Sequence, residues 1–78
     1  MPAILAMALR QIFADNLRRA RLDAGLSQEE LADVAGIDRT YVSALERCRY
    51  SASIDVMERL AVALNVTPSS LLEDTGRQ

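Results

Sequence analysis

Apolar residues recur along the chain at steps of three and four, the spacing that places side chains on one face of an α-helix. The pattern predicts a first helix that begins at about Leu9 or earlier and ends at Ala24. Gly25 is expected to stop this helix, because glycine readily adopts the left-handed conformation found at helix ends. The predicted apolar stripe consists of Leu9, Ile12, Phe13, Leu17, Ala20 and Ala24.

The next two helices are marked by polar residues at their starts. Ser27 and Glu30 form an S-x-x-E capping box, so a second helix is predicted from this point to Gly36. Asp38 is a good N-cap for a third helix, which should run from Arg39 to about Arg47. The inward side chains of these two helices are predicted to be Leu31, Val34, Ala35, Val42 and Leu45.

Two more helices follow a loop. Ser53 should cap the fourth helix, and Asn65 suits its end. Thr67 and Pro68 then start a short fifth helix. The fourth helix should bury Ile54, Met57, Leu60, Ala61 and Leu64, and the fifth carries Leu71 and Leu72. The pattern therefore predicts an all-α fold of five helices, with a glycine turn between helices two and three that is typical of a helix-turn-helix.

The 78 residues are predicted to form a single domain, residues 1–78, with a core at about 9–73. An apolar arm, Ile4–Met7, precedes the core, and the tail Asp74–Gln78 should fray. The apolar run Pro2–Leu9 has no basic start and is too short for a signal peptide or a membrane span. A single cysteine excludes an internal disulfide. We therefore expect a cytoplasmic protein without a membrane partner.

The composition argues against catalysis. Histidine is absent, which removes the commonest general base and the commonest metal ligand. The sequence shows no metal-ligand cluster and no phosphate-binding glycine motif. We therefore expect a binding protein rather than an enzyme, with no cofactor, metal or small-molecule ligand.

The net charge of −2 argues against a nucleic-acid partner, but the distribution of the charges along the chain favours one. Every one of the nine basic residues is arginine, and two groups stand close together in the sequence. The groups are Arg18, Arg19 and Arg21, and Arg39, Arg47 and Arg49. Folding could place them on one face, as a nucleic-acid-binding surface requires.

The outer face of the third helix has the side chains of a DNA-reading helix. Arg39, Thr40, Ser43 and Ala44 are predicted to lie opposite the apolar stripe. Arg39 could bond guanine O6 and N7, Thr40 and Ser43 could contact bases, and Thr40 or Ala44 could meet a thymine methyl. The alternative is an ordinary solvated face, because polar outer faces are common on helices.

Three stretches together resemble the phage repressor/Cro-type (XRE) helix-turn-helix family. They are LSQEELA at 26–32, GIDRTYVSALER at 36–47 and LAVALNV at 60–66. The resemblance covers roughly residues 12 to 72, and the DRTYVS stretch is also similar to restriction–modification controller proteins. It implies a lambda-repressor-like domain. It also implies a homodimer that binds a specific, palindromic double-stranded DNA operator and places residues 39–47 in the major groove.

The resemblance also implies contacts with the DNA backbone. Gln28 matches the family position that touches the backbone near the recognition helix, although it could be only a helix-start residue. Tyr41 could reach a phosphate with its hydroxyl or pack its ring. Arg47 and Arg49 follow the recognition helix, where family members commonly contact phosphates, although they could be solvated charges.

Two structural expectations follow from the same comparison. Arg21 and Glu46 both lie beside apolar stripes, and the family places a similar pair between the first and third helices, so we expect a partly buried ion pair. The resemblance favours Leu71 and Leu72 as the dimer interface. Those leucines could equally belong to the core, and the exposed side of the fourth helix and the apolar arm are the other available surfaces.

Cys48 departs from the family pattern, which commonly has glycine after the recognition helix. Either Cys48 adopts a left-handed conformation, or the helix ends differently here. Its arginine neighbours leave a redox role open. A different class of function is also open: the acidic balance and apolar arm fit an antitoxin-like or adaptor module for which DNA binding is secondary.

Overall fold

Four α-helices and a short 3₁₀ helix pack together in the computed structural model of the chain, which describes residues 3–74, with side chains from Ala8 onward. The helices are α1 (Ala3–Asp23), α2 (Gln28–Ala35), α3 (Arg39–Glu46) and α4 (Ile54–Leu64), followed by the 3₁₀ helix Pro68–Leu72. The predicted all-helical class is confirmed, but the fifth element is a 3₁₀ helix rather than an α-helix. The tail Asp74–Gln78 was expected to fray, and residues 75–78 of it lie outside the described residues.

The core is built mainly from leucine and alanine. Leu17, Leu31, Leu45, Leu60 and Leu71 are each almost completely buried. Burial of such a side chain contributes about 1.5–3 kcal/mol, so these five leucines supply much of the stability of so small a domain. The core is completed by Phe13, Ala32, Ala35, Val42, Ala61 and Leu64.

Four apolar residues that were predicted to face inward are exposed instead: Leu9, Ala24, Val34 and Ile54. Leu31, Ala32 and Ala35 set the inner direction of α2, and a rotation of about 100° per residue turns Val34 away from it. Leu71 is only 1% exposed within the single chain, so it belongs to the core and is not available as a dimer surface.

Helix α1 begins earlier than Leu9 and is the longest element of the fold. Its 21 residues span about 32 Å, close to the 35 Å length of the molecule. The side chains of residues 8–11 are exposed, and the first buried one along the described chain is Phe13. The N-terminal part of α1 therefore extends beyond the core. Within the described residues, no helix is both long and apolar enough to span a bilayer.

All four α-helices end in the same backbone arrangement. The residue that follows the helix cap, or the cap itself, is left-handed, and the next amide donates to a carbonyl five residues earlier, as in a Schellman motif. The left-handed residues are Gly25, Gly36, Cys48 and Asn65, and the residues that follow them are Leu26, Ile37, Arg49 and Val66. Leu26, Ile37 and Val66 pack against the core, whereas Arg49 is exposed. Helix α3 thus ends without an apolar anchor.

Cys48 adopts the first of the two conformations expected for it. Its φ of 61° is left-handed, and the amide of Arg49 donates to the carbonyl oxygen of Ala44 at 2.8 Å. A side chain in this conformation costs about 1 kcal/mol relative to glycine, because its Cβ approaches the following carbonyl oxygen. The helix end therefore keeps the usual geometry of a glycine stop although a cysteine occupies the position.

Replacing Cys48 with glycine should raise the free energy of unfolding by about 1 kcal/mol, because glycine adopts this φ without strain. Cys48→Ala is the matched control: it removes the thiol, keeps the strained Cβ and should bring no such gain. Urea unfolding of the three proteins measures the difference. A less stable Cys48→Gly protein would contradict the strain argument.

Candidate nucleic-acid interface

The N-terminus of α3 is fixed by Asp38. Its carboxylate oxygen Oδ1 accepts hydrogen bonds from the backbone amide and from the hydroxyl of Thr40, both at 3.0 Å. These bonds stabilise the ionised form and lower the pKa of Asp38 below its ordinary value of 3.8. The cap therefore sets where the helix begins, and it leaves the Thr40 methyl and both lone pairs of its hydroxyl oxygen for other contacts.

The outer face of α3 contains three of the four residues predicted for base contact. Arg39 and Thr40 are exposed, and Ser43 is half-buried. Ala44 is only 8% exposed, so the prediction that it lies on the outer face is wrong. The reason is that α3 packs against both α1 and α2, which gives it a wider buried face than Val42 and Leu45 alone indicate.

The expected ion pair between α1 and α3 is present and nearly closed to water. Arg21 Nε lies 2.7 Å from Glu46 Oε2, and Arg21 Nη2 donates to Glu46 Oε1 at 3.0 Å. The Glu46 side chain is only 3% exposed. The hydrogen bond to Glu46 raises the pKa of Arg21 although burial opposes this, so Arg21 stays charged at any physiological pH.

Both members of this ion pair also form hydrogen bonds with the start of α2: Arg21 with the turn before it and Glu46 with its first residue. Arg21 Nη1 donates to the carbonyl oxygen of Leu26 at 2.9 Å, and Gln28 Nε2 donates to Glu46 Oε1 at 3.0 Å. We did not expect the Gln28 contact, because it depends on the distance between two helices and has no local sequence signal. Glu46 therefore fixes the end of α3 relative to both α1 and the start of α2.

Tyr41 lies on the side of α3 that faces the loop after it. Its half-buried ring packs against the core and meets Tyr50 edge to face, with ring centroids 6.4 Å apart and planes at 70°. The packing role considered for Tyr41 is thus present, and contact of its hydroxyl with a phosphate stays a prediction.

The segment after α3 carries the two arginines predicted to meet phosphates. Arg47 and Arg49 are both exposed. Ser51, a little further along, accepts a hydrogen bond from Arg10 Nε at 3.0 Å, which ties this segment to α1. The structure therefore places Arg39 at one end of α3 and Arg47 and Arg49 at the other, and all three lie outside the core.

Asn16, which the sequence pattern did not single out, holds the C-terminal 3₁₀ helix in place. Its buried Nδ2 donates to the carbonyl oxygens of Leu71 at 3.0 Å and Glu73 at 2.8 Å. Its Oδ1 accepts from Arg19. A signal was available, because Asn16 stands three residues after Phe13 on the apolar side of α1, and a polar residue there needs a partner. None of the buried side-chain nitrogens and oxygens within the described part of the chain lacks a partner.

The sequence that forms this set of helices matches a known protein family. Residues 17–71, from the middle of α1 to the 3₁₀ helix, match the helix-turn-helix family model HTH_3. The chain belongs to the HTH_3 helix-turn-helix family. Its relatives in this family are named as transcription factors, transcriptional regulators and control proteins, so the chain is a member of a DNA-binding, transcription-regulating family.

Two curated relatives illustrate the similarity. A hypothetical transcription factor of Neisseria meningitidis is 48% identical over 64 residues, which are 82% of this chain and 60% of that protein. The chain thus matches less than two thirds of that relative. Control protein C.SmaI of Serratia marcescens is 37% identical over 73 residues, 94% of this chain and 87% of that one.

Solved structures agree with the sequence comparison. The controller protein C.AhdI from Aeromonas hydrophila, 41% identical, superposes with a TM-score of 0.79 over 82% of this chain and 97% of that chain. The Neisseria transcription factor superposes with a TM-score of 0.81, over 83% of this chain and 75% of that one. The predicted resemblance to repressor-type and controller helix-turn-helix proteins is therefore confirmed.

Replacing Glu46 with glutamine should lower the free energy of unfolding by about 3–5 kcal/mol, because it leaves the buried charge of Arg21 without its partner. Glu58→Gln, which changes an exposed carboxylate on α4, is the control and should have little effect. Chemical denaturation measures both. A loss for Glu46→Gln no larger than that of the control would contradict a stabilising role for the pair.

The N-cap of α3 should weaken in acid. Because the folded-state pKa of Asp38 is depressed, its contribution to stability is present above about pH 3.8 and is lost as the pH falls through the depressed value. Asp38→Asn keeps an acceptor oxygen but cannot titrate, so its stability should fall less steeply with acid. Thermal unfolding from about pH 5 downward tests this, with Asp33→Asn as control. Identical pH profiles for Asp38→Asn and the unaltered protein would refute it.

Proposed function

We propose that this HTH_3 protein is a transcription regulator that binds a specific double-stranded DNA sequence as a homodimer, with α3 in the major groove. The proposal rests on one observation above all: α3 exposes Arg39 and Thr40 while the ion pair of Arg21 with Glu46 holds its far end rigidly. A rigid helix with an exposed arginine at its start is suited to reading base edges.

Base recognition is assigned to the first turns of α3. Arg39 is long enough to donate two hydrogen bonds to a guanine, which discriminates against the other bases by about 1–3 kcal/mol. Thr40 keeps its methyl for a thymine, because its hydroxyl hydrogen is held by Asp38. Ser43, one turn later, offers a hydroxyl. Ala44 is left out of the proposed contact because it is buried.

Backbone contacts are assigned to residues on either side of this surface. The Gln28 amide nitrogen has two hydrogens and uses one for Glu46, so the second is available for a phosphate oxygen. Arg47 and Arg49 supply exposed positive charge after α3, and Tyr41 could add its hydroxyl. Contacts of this kind position the protein and make its affinity depend on salt.

A dimer is proposed because α3 is short. Its eight residues span about 12 Å, so one copy can read only a few base pairs. Two copies related by a two-fold axis double the contacts and require a palindromic operator. The similarity to the restriction-modification controller protein C.AhdI and to the control protein C.SmaI supports a regulator of this architecture.

Selection of bound sites from random duplex DNA is the direct test of the proposal. It should yield one palindromic consensus, and binding to it should weaken as salt rises. No enrichment of any sequence, together with tight and salt-insensitive binding to a protein, would refute it in favour of an interaction module.

Replacing Arg39 with alanine should cost about 1–3 kcal/mol of binding and relax the consensus at one position in each half-site. Arg49→Ala should instead weaken binding to all sequences alike and reduce the salt dependence. Val62→Ala, an exposed change on α4 outside the proposed contacts, is the control. Equal losses on every sequence for Arg39→Ala would show that Arg39 contacts phosphate.

A further inference from the structure

The segment between α3 and α4 is held by side chains rather than by its backbone. The amide of Arg49 donates to the carbonyl oxygen of Ala44 at the end of α3. Within the described part of the chain, no amide of residues 50–53 donates to a backbone carbonyl oxygen. A stretch without backbone hydrogen bonds is locally unstable unless side chains fix it. Arg47 and Arg49, the residues proposed to contact phosphates, lie just before this stretch, so its order bears on DNA binding.

Three side-chain contacts fix the segment. The ring of Tyr50 meets Tyr41 of α3 edge to face, and Ala52 packs against the core. Between these two apolar contacts, the hydroxyl of Ser51 accepts a hydrogen bond from Nε of Arg10 at 3.0 Å. The polar contact of the three therefore comes from α1, 41 positions away in the sequence.

Arg10 belongs to the N-terminal half of α1, ahead of the part of the chain that matches the family. That match begins only at residue 17. Arg10 and Ser51 stand at the rim of a shallow groove with an apolar lining. The lining side chains are Leu9, Phe13, Ala52, Met57 and Leu72. The groove places this half of α1 beside the segment, and the hydrogen bond of Arg10 bridges the two.

The bond between Arg10 and Ser51 matters less for stability than for binding. Both side chains are exposed, so their hydrogen bond replaces bonds to water and its net contribution to folding is small. Binding differs in this respect, because a segment that is mobile in the free protein loses conformational entropy when it meets its partner. A contact that orders the segment beforehand reduces that loss.

We propose that Arg10 is a positioning residue for the DNA-backbone contacts: through Ser51 it orders the segment after α3 before DNA arrives. This inference rests on the proposed DNA binding and adds a residue from outside the family match to those that determine affinity. Arg10 acts through Ser51 and not by its own charge. The choice of bases, assigned to the first turns of α3, does not depend on it.

A double-mutant cycle on the operator obtained by selection tests this role. Arg10→Met keeps the aliphatic length of the side chain and removes the donor, and Ser51→Ala removes the acceptor without a change of charge. Each should weaken binding about three- to tenfold, the size expected of one hydrogen bond. The double variant should be no weaker than either single one, because both remove the same contact. Gln11→Met, an exposed change at the next position of α1, is the control and should leave affinity unchanged.

A second measurement needs no DNA. In NMR relaxation of the free proteins, Arg10→Met and Ser51→Ala should both increase the picosecond-to-nanosecond mobility of the amides of Tyr50 and Ala52, whereas the amides of α4 should stay as in the unaltered protein. Loss of a positive charge alone would not produce this change, and Gln11→Met should not produce it either. Circular dichroism of each variant checks that the helices are retained.

The outcomes separate this inference from the function on which it rests. A loss of affinity for Arg10→Met with none for Ser51→Ala would show that Arg10 contacts a phosphate itself, and additive losses would show two independent contacts; either result overturns the positioning role. Unaltered binding by both variants overturns it and leaves the DNA-binding function standing, whereas a protein that selects no operator overturns both. Equal, non-additive losses with a more mobile segment support the proposal.

Discussion

The carboxylate of Glu46 is the point on which the geometry of this small domain depends. It joins Arg21 on α1 and Gln28 on α2 to the last residue of α3, and Arg21 in turn holds the carbonyl oxygen of Leu26. Three helices are therefore fixed relative to each other by charged hydrogen bonds in a nearly dry environment. Such a network adds little net stability over an apolar core, but it permits one arrangement, because any other leaves a charge buried and unpaired.

That constraint connects the core with the surface of α3. A helix of two turns has few apolar residues with which to fix its rotation, and Val42 and Leu45 alone allow some variation. The Glu46 contacts define the rotation at one end, and the Asp38 cap defines the other end. The direction in which Arg39 leaves the helix thus follows from two polar contacts.

Local patterns were sufficient to predict the helix boundaries from Ser27 onward, because capping boxes, N-caps and left-handed stops act within a few residues. The start of α1 was harder, because residues 3–9 are apolar on all sides and have no stripe to recognise. Burial was predicted less well for a helix that packs against two other helices at once. Ala44 was assigned to the outer face because the packing of α3 against both α1 and α2 has no sequence signal. The Gln28 contact was missed for the same reason.

Because α3 ends without an apolar anchor, the length of the segment after it can vary among related proteins. Residues 47–53 form the longest connection between helices in the described chain. Its Arg49 is exposed, whereas the equivalent residues at the other helix ends, Leu26, Ile37 and Val66, pack against the core. Because the added entropy of a longer loop is small, insertions here cost little stability. Evolution can therefore alter the reach of this segment without rebuilding the interior.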